Sequence, residues 1–194
     1  MKKHLTLLTY LATAHLGGLV CLMVFRLCFF FSLHSALAAE TTSAWPAFLR
    51  GLWMDNVIGS YILLLPLLVV LVAQLCGRGG KGLLRFLNIW MGGFYALAFA
   101  AAAANIPFYN YFNQPLNSTI WQWAAYPSQT VGMLFGEATW WKYIALWAVV
   151  TAVYAYGLFR WRRYFGHRLP AFPKNWRERG VSLALWLPIA GLCV

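Results

Sequence analysis

The sequence predicts an all-α, polytopic helical membrane protein with about five transmembrane helices, and three observations lead to this prediction. Hydrophobic residues form 62% of the 194-residue chain and charged residues 10%, whereas soluble domains have about 45–50% and about 25%. Long apolar runs recur, and residues 57–75 carry no charge over nearly the roughly 20 residues that a helix needs to cross a bilayer. Aromatic residues form 18% of the chain, as expected where indole and phenol rings settle at two membrane–water interfaces.

Residues 5–37 are predicted to form the first span, in an apolar run that contains Arg26. The tripeptide Ala36-Leu37-Ala38 resembles the cleavage site of a secretory signal peptide, but the apolar part of such a peptide has only about 7–15 residues. An uncleaved first span is therefore the preferred interpretation. Because the run exceeds one crossing, we expect part of it to tilt or to lie along the interface.

The second and third spans are predicted at about 55–76 and 84–105. Residues 40–53 before them are expected to form a short loop with a turn at Trp45-Pro46, and Pro66 is expected to kink the second helix. The third span is rich in glycine and alanine, and Pro107 is its expected end. Small residues let helix backbones approach closely, so we expect the third helix to occupy the centre of the bundle.

Residues 108–139 mix aromatic and polar side chains, which is typical of short interfacial helices between spans three and four. The fourth span is predicted at about 140–159. A fifth apolar run occupies residues 181–194, but its roughly 21 Å as helix is shorter than the roughly 30 Å hydrocarbon core. We therefore expect residues 1–194 to be a transmembrane domain whose fifth span is truncated, so that the chain continues after residue 194.

The basic residues predict the orientation. With the N-terminus in the cytoplasm, twelve of the fifteen lysines and arginines fall on the inner side, two fall outside and Arg26 lies within the first span. Cytoplasmic loops carry such an excess, so we expect a multi-pass protein with a cytoplasmic N-terminus and a continuation on the outer side. Because the charge sits in short loops between spans, the net charge of +11 does not predict nucleic-acid binding. The scattered cysteines and histidines predict no metal site in this chain.

Several stretches resemble a known family: GLWMD at 51–55, YILLLP at 61–66, ANIPFYNYF at 104–112, and MLFGE at 133–137 followed by Trp140-Trp141. They look like the N-terminal transmembrane domain of the lipoteichoic acid synthase and phosphoglycerol transferase family, within the alkaline phosphatase and sulfatase superfamily. The resemblance is to the versions found in Bacteroides-type Gram-negative bacteria, and it covers most of the 194 residues.

The resemblance implies a lipid-dependent phosphoglycerol or phosphoethanolamine transferase, or a sulfatase-like hydrolase, at the bacterial inner membrane. In this family the catalytic threonine and the ligands of Mn²⁺ or a similar divalent metal lie in the exported domain, so no catalytic residue is assigned to this chain. Its own role would be to anchor that domain and to give it access to membrane lipids, including an anionic phospholipid donor. The alternatives are a non-enzymatic scaffold or interaction protein and, less favoured, a small transporter, since the spans show no internal repeat.

Five residues are candidates for binding a lipid headgroup. Arg26 would cost about 2.5–3.5 kcal/mol at the centre of a span, so it meets a lipid phosphate, pairs with Asp55, or lies at the interface if the first span crosses only residues 5–25. Asn105 and Tyr109 either line a lipid-access groove or simply cap the third span. Lys142 either holds an anionic headgroup or anchors the fourth span in the outer leaflet.

Overall fold

The computed structural model describes residues 5–37, 45–76, 80–116 and 138–167, together with residues 126, 128, 132 and 136. Four long helices make up nearly all of this part of the chain: α1 (Leu5–Leu37), α2 (Trp45–Leu75), α3 (Lys81–Phe112) and α4 (Ala138–Gly166). Each is long and apolar enough to cross a membrane, judged by length and composition. The all-helical prediction is confirmed for the described residues, with four candidate spans. The predicted fifth span and most of the predicted interfacial segment lie outside these residues.

Helix α2 begins ten residues earlier than predicted. The expected loop with a turn at Trp45-Pro46 is wrong for residues 45–53, which form the first turns of the helix. The first four N–H groups of a helix have no intrahelical acceptor, so a proline in the first turn costs nothing there. The correction matters because it places Gly51 and Asp55 on one continuous helix.

Helix α3 continues beyond its expected end. Pro107 lies inside the helix, which can pass a proline when neighbouring helices support it. The helix ends instead at Asn113, which has left-handed backbone angles (φ 56°, ψ 25°) and donates its N–H to the Tyr109 carbonyl at 2.8 Å. Asparagine is among the few residues that adopt this conformation readily. Helix α4 likewise extends to Gly166 rather than to 159, so the first arginines of the basic segment lie on a helix.

Helices α1 and α3 form the centre of the bundle. Each contacts all three other helices, whereas α2 and α4 do not contact each other in the described part of the chain. Large buried side chains recur on α3 at the three- and four-residue spacing of one helical face: Leu84, Leu87, Met91, Tyr95 and Phe99. The predicted central position of α3 is confirmed, although α1 shares it.

The helices alternate in direction and so define two ends. At one end the ring of Tyr10 on α1 lies 5.7 Å from the ring of Phe165 on α4, and the Tyr10 hydroxyl donates to Asn88 Oδ1 on α3 at 3.0 Å. This basic end carries the described residues Lys81, Arg85, Arg160, Arg162 and Arg163. The opposite end carries two exposed cations, Arg50 and Lys142.

Much of the bundle surface is apolar. In each of the four apolar stretches, no more than 33% of the residues are buried between helices. Large side chains such as Val20, Leu68, Ile89 and Val149 are more than half exposed. Soluble monomers rarely expose contiguous apolar surface on this scale, so the packing is compatible with a multi-pass membrane protein.

Candidate functional site

Arg26 on α1 forms a partly buried ion pair with Asp55 on α2. Its Nε donates to Asp55 Oδ2 at 2.9 Å and its Nη2 donates to Oδ1 at 2.7 Å, while Nη2 also donates to the Gly51 carbonyl at 2.7 Å. The two side chains are 24% and 12% exposed. Two parallel N–H···O bonds match the planar guanidinium to the carboxylate and fix its orientation. Of the alternatives that the sequence allowed for Arg26, the structure shows the pairing.

Gly51 makes room for the guanidinium. A Cβ at this position would lie only 1.6 Å from Arg26 Nη1, so any side chain here would displace Arg26. Gly51, Asp55 and Gly59 follow one another at four-residue spacing and therefore lie along one face of α2. Small residues at this spacing let two membrane helices approach closely, and here they admit two polar side chains from α1.

His15 is the second of these polar side chains. A Cβ on Gly59 would lie 2.6 Å from His15 Cε1. His15 Nε2 lies 3.3 Å from Asn56 Oδ1, and Nδ1 lies 2.7 Å from the Tyr95 hydroxyl. These distances fit the tautomer in which Nε2 donates to the amide oxygen and Nδ1 accepts from the Tyr95 hydroxyl, which also lies 3.4 Å from the His15 carbonyl oxygen. This polar cluster joins α1, α2 and α3.

Tyr95 reaches His15 because of Gly18. A Cβ on Gly18 would lie 2.1 Å from the Tyr95 ring, so the ring packs directly on the α1 backbone. Sequence reasoning missed His15, Asn56 and Tyr95. One signal would have found His15, since it precedes Arg26 by eleven residues, which is three helical turns and places both on one face of α1.

Two other predicted site residues lie near the end of α3. Asn105 Oδ1 accepts a hydrogen bond from the Leu116 backbone N–H at 2.8 Å, so it holds the chain that follows α3, as in the capping alternative. The ring of Tyr109 contacts the ring of Phe29 edge-on at 5.2 Å. Phe29 follows Arg26 by about one turn of α1, which places Tyr109 just beyond the ion pair.

Lys142 lies apart from the ion pair. It is exposed on α4, and its Nζ lies 4.9 Å from the centre of the Tyr143 ring. Because α2 and α4 do not contact each other in the described residues, the structure does not bring Lys142 to Asp55. The five predicted residues therefore do not form one site, and only Arg26 and Asp55 bind each other directly.

An apolar cleft of about 150 Å³ separates α3 from α4 near the opposite end. Its α3 wall consists of small residues and its α4 wall of larger, mostly aromatic ones. The lining is Ala100, Ala103, Ala104, Pro107, Trp140, Tyr143, Ile144 and Trp147. Trp147 Nε1 donates to the Ala96 carbonyl at 3.0 Å and so ties the two helices together at the deep side of the cleft.

The Arg26–Asp55 site offers groups that can bind an anion. Among the described residues, no three His, Cys, Asp or Glu side chains lie close enough together to hold a metal ion. Arg26 Nη1 has no hydrogen-bond acceptor among the described residues, so its two N–H groups are available to a ligand oxygen. The partly exposed guanidinium can therefore bind Asp55 and an anionic group at the same time.

No protein-family model matches the chain, and comparisons with curated proteins and with solved structures find no match either. The resemblance to the phosphoglycerol transferase family therefore stays a prediction.

Proposed function

We propose that this chain is the membrane domain of a lipid-dependent phosphoglycerol or phosphoethanolamine transferase, or of a sulfatase-like hydrolase, of the bacterial envelope. It anchors a catalytic domain and presents the headgroup of a membrane lipid to it. The divalent metal of the reaction belongs to that catalytic domain. The alternative of a non-enzymatic membrane scaffold predicts the same bundle but no lipid turnover.

One observation carries this proposal. Three of the segments that resemble the family lie on three different helices: residues 51–55 on α2, residues 104–112 on α3 and Trp140-Trp141 on α4. All three lie at the opposite end of the bundle, where the Arg26–Asp55 pair and the apolar cleft also lie. The stretch 61–66 continues farther along α2, and most of 133–137 lies outside the described residues. Family-like residues that gather at one membrane face are expected if that face meets the lipid headgroups and the catalytic domain.

The charge distribution supports the orientation in this proposal. The described residues place five basic side chains at the basic end and leave Arg50 and Lys142 exposed at the opposite end. The positive-inside rule assigns the basic end to the cytoplasm at the inner membrane. The opposite end then faces the periplasm, where the exported domain would act.

The position of Arg26 suits a headgroup-binding role. Arg26 lies six residues before the end of the apolar stretch Leu7–Ser32, and Asp55 lies seven residues after the start of the stretch Phe48–Leu75. Both are thus about 10 Å below the surface of the apolar layer. Asp55 offsets the cost of burying Arg26. Among the described residues Nη1 has no acceptor, and at this depth a lipid phosphate can reach an arginine when the bilayer thins locally.

The test is lipid turnover by the whole gene product in vesicles. We expect the protein to release diacylglycerol from labelled phosphatidylglycerol or phosphatidylethanolamine, and to hydrolyse a soluble phosphate or sulfate ester. Arg26→Ala should lower lipid turnover more than ester hydrolysis, because only the lipid reaction uses the membrane site. Arg50→Ala removes an exposed charge at the same end and is the matched control.

The results separate the alternatives. Equal losses of both activities in Arg26→Ala would assign Arg26 to folding, and no loss would leave it a structural partner of Asp55. A whole gene product that turns over neither lipid nor ester would overturn the enzymatic proposal and favour the scaffold.

A further inference from the structure

The cleft between α3 and α4 is narrow in volume, about 150 Å³, and lined by apolar side chains. It extends along α4 from Trp140 to Trp147, a distance of about 10 Å along the helix axis. The alanines of α3 form a shallow wall and the rings of α4 form the facing wall. The hydrogen bond from Trp147 to the Ala96 carbonyl ties the two helices together at the end of the cleft nearer the middle of the bundle.

The rim of the cleft carries a positive charge. Lys142 lies two residues after the start of α4's apolar stretch, and its Nζ lies over the ring of Tyr143, which lines the cleft. A lysine at this depth lies at the level of lipid headgroups, where each basic residue attracts anionic lipid. The charge therefore selects which lipid's hydrocarbon chain enters.

The dimensions and chemistry argue against other occupants. A further helix with its side chains is about 10–12 Å wide. Such a helix would need far more space than the about 150 Å³ of this cleft. Water needs several polar partners to remain in a cavity, whereas the lining of this cleft is apolar. A methylene chain is narrow and apolar and fits both constraints.

We propose that the α3–α4 cleft binds one acyl chain of an anionic glycerophospholipid from the outer leaflet, with the Lys142 ammonium bound to its phosphate. This site is separate from the Arg26–Asp55 pair and lies on the other side of α3. Any part of this lipid in a reaction rests on the proposed function. The bound lipid would then be either the donor itself or a structural lipid next to the donor.

The experiment measures thermal unfolding of the purified protein in a neutral detergent while phosphatidylglycerol or phosphatidylcholine is added. We expect phosphatidylglycerol to raise the unfolding temperature in a saturable way and at lower concentration than phosphatidylcholine. Lys142→Gln should weaken the phosphatidylglycerol response about five-fold, and Ala104→Leu, which fills the cleft, should remove the difference between the two lipids.

Two variants serve as matched controls. Arg50→Gln removes an exposed charge at the same end of the bundle but away from the cleft, and Ala101→Leu adds the same side chain to an exposed position of α3 outside the lining. Both should keep the wild-type preference for phosphatidylglycerol. Lys142 is exposed, so its substitution tests the site even if Ala104→Leu impairs folding.

Each result has one meaning for the site. Equal responses to the two lipids, or an equal loss in Arg50→Gln and Lys142→Gln, would overturn it as non-specific lipid contact. A phosphatidylglycerol preference without diacylglycerol release by the whole gene product would support the site and contradict the enzymatic proposal. Diacylglycerol release without a preference for phosphatidylglycerol would support the enzymatic proposal and contradict the lipid site in the cleft.

Discussion

The two outer helices of the bundle are held to its centre in different ways. Helix α2 packs on α1 through a buried ion pair and two glycines that admit Arg26 and His15. Helix α4 packs on α3 through apolar and aromatic side chains, with Trp147 as the bridging hydrogen-bond donor. Polar contacts demand one register because each donor needs its acceptor, whereas apolar contacts tolerate small shifts. We therefore expect α2 to be fixed in position and the α3–α4 cleft to adapt to an occupant.

The largest expected effect comes from breaking the ion pair. Asp55→Ala leaves the partly buried Arg26 guanidinium without its counter-charge, and we expect the free energy of unfolding to fall by about 3 kcal/mol. Arg26→Leu combined with Asp55→Leu should recover most of the loss, since no uncompensated charge remains. Unfolding in detergent would be measured for the wild type, Asp55→Ala and the double variant. A double variant as unstable as Asp55→Ala would contradict the assignment of the loss to an unpaired charge.

A smaller effect is expected from Gly18→Ala. The new Cβ would lie 2.1 Å from the Tyr95 ring, so the ring must move away from His15, at a cost of about 2 kcal/mol in the free energy of unfolding.

Gly93→Ala is the matched control for this change, because nothing lies within 4 Å of a Cβ at that position of α3. It should stabilise the helix by about 0.5–1 kcal/mol. Similar losses in the two variants would show that glycine matters for these helices in general and not for close packing against Tyr95.

Next in size is Tyr95→Phe. It removes the hydroxyl that lies 2.7 Å from His15 Nδ1 and leaves that half-buried nitrogen without this partner, so we expect a loss of about 1 kcal/mol in the free energy of unfolding. Tyr154→Phe removes a hydroxyl that donates to the Ala14 carbonyl at 3.1 Å and is the comparison within the same core. A loss in Tyr154→Phe alone would argue against the polar cluster as the link between α1 and α3.

The smallest effect is expected from Trp147→Phe at the α3–α4 contact. It removes the hydrogen bond to the Ala96 carbonyl, and hydrogen bonds between membrane helices average only about 0.6 kcal/mol. The same variant opens the deep end of the cleft, so its preference for phosphatidylglycerol should change more than its stability. A stability loss as large as that of Asp55→Ala would contradict the distinction between the two contacts.

Particular residues show what could be predicted for the site. The pairing of Arg26 with Asp55 was one of the alternatives that the sequence allowed, since both had to lie near the same membrane face. The acceptor at the Gly51 carbonyl was not predictable, because residues 45–53 were assigned to a loop around Pro46. Lys142 and Asn105 are further headgroup candidates in the sequence, each with a structural alternative. In the structure Asn105 binds the backbone after α3, and Lys142 lies on α4 away from Arg26.

For the described part of the chain, the sequence by itself determined that four apolar helices form, that they alternate in direction and that basic residues are in excess at one end. These features follow from apolar length and charge, which act along the chain and need no knowledge of neighbours. Only the tertiary structure decided which polar groups meet. A buried charge pairs with the group that packing brings within hydrogen-bonding distance. Here the close packing is possible because Gly18, Gly51 and Gly59 have no side chain.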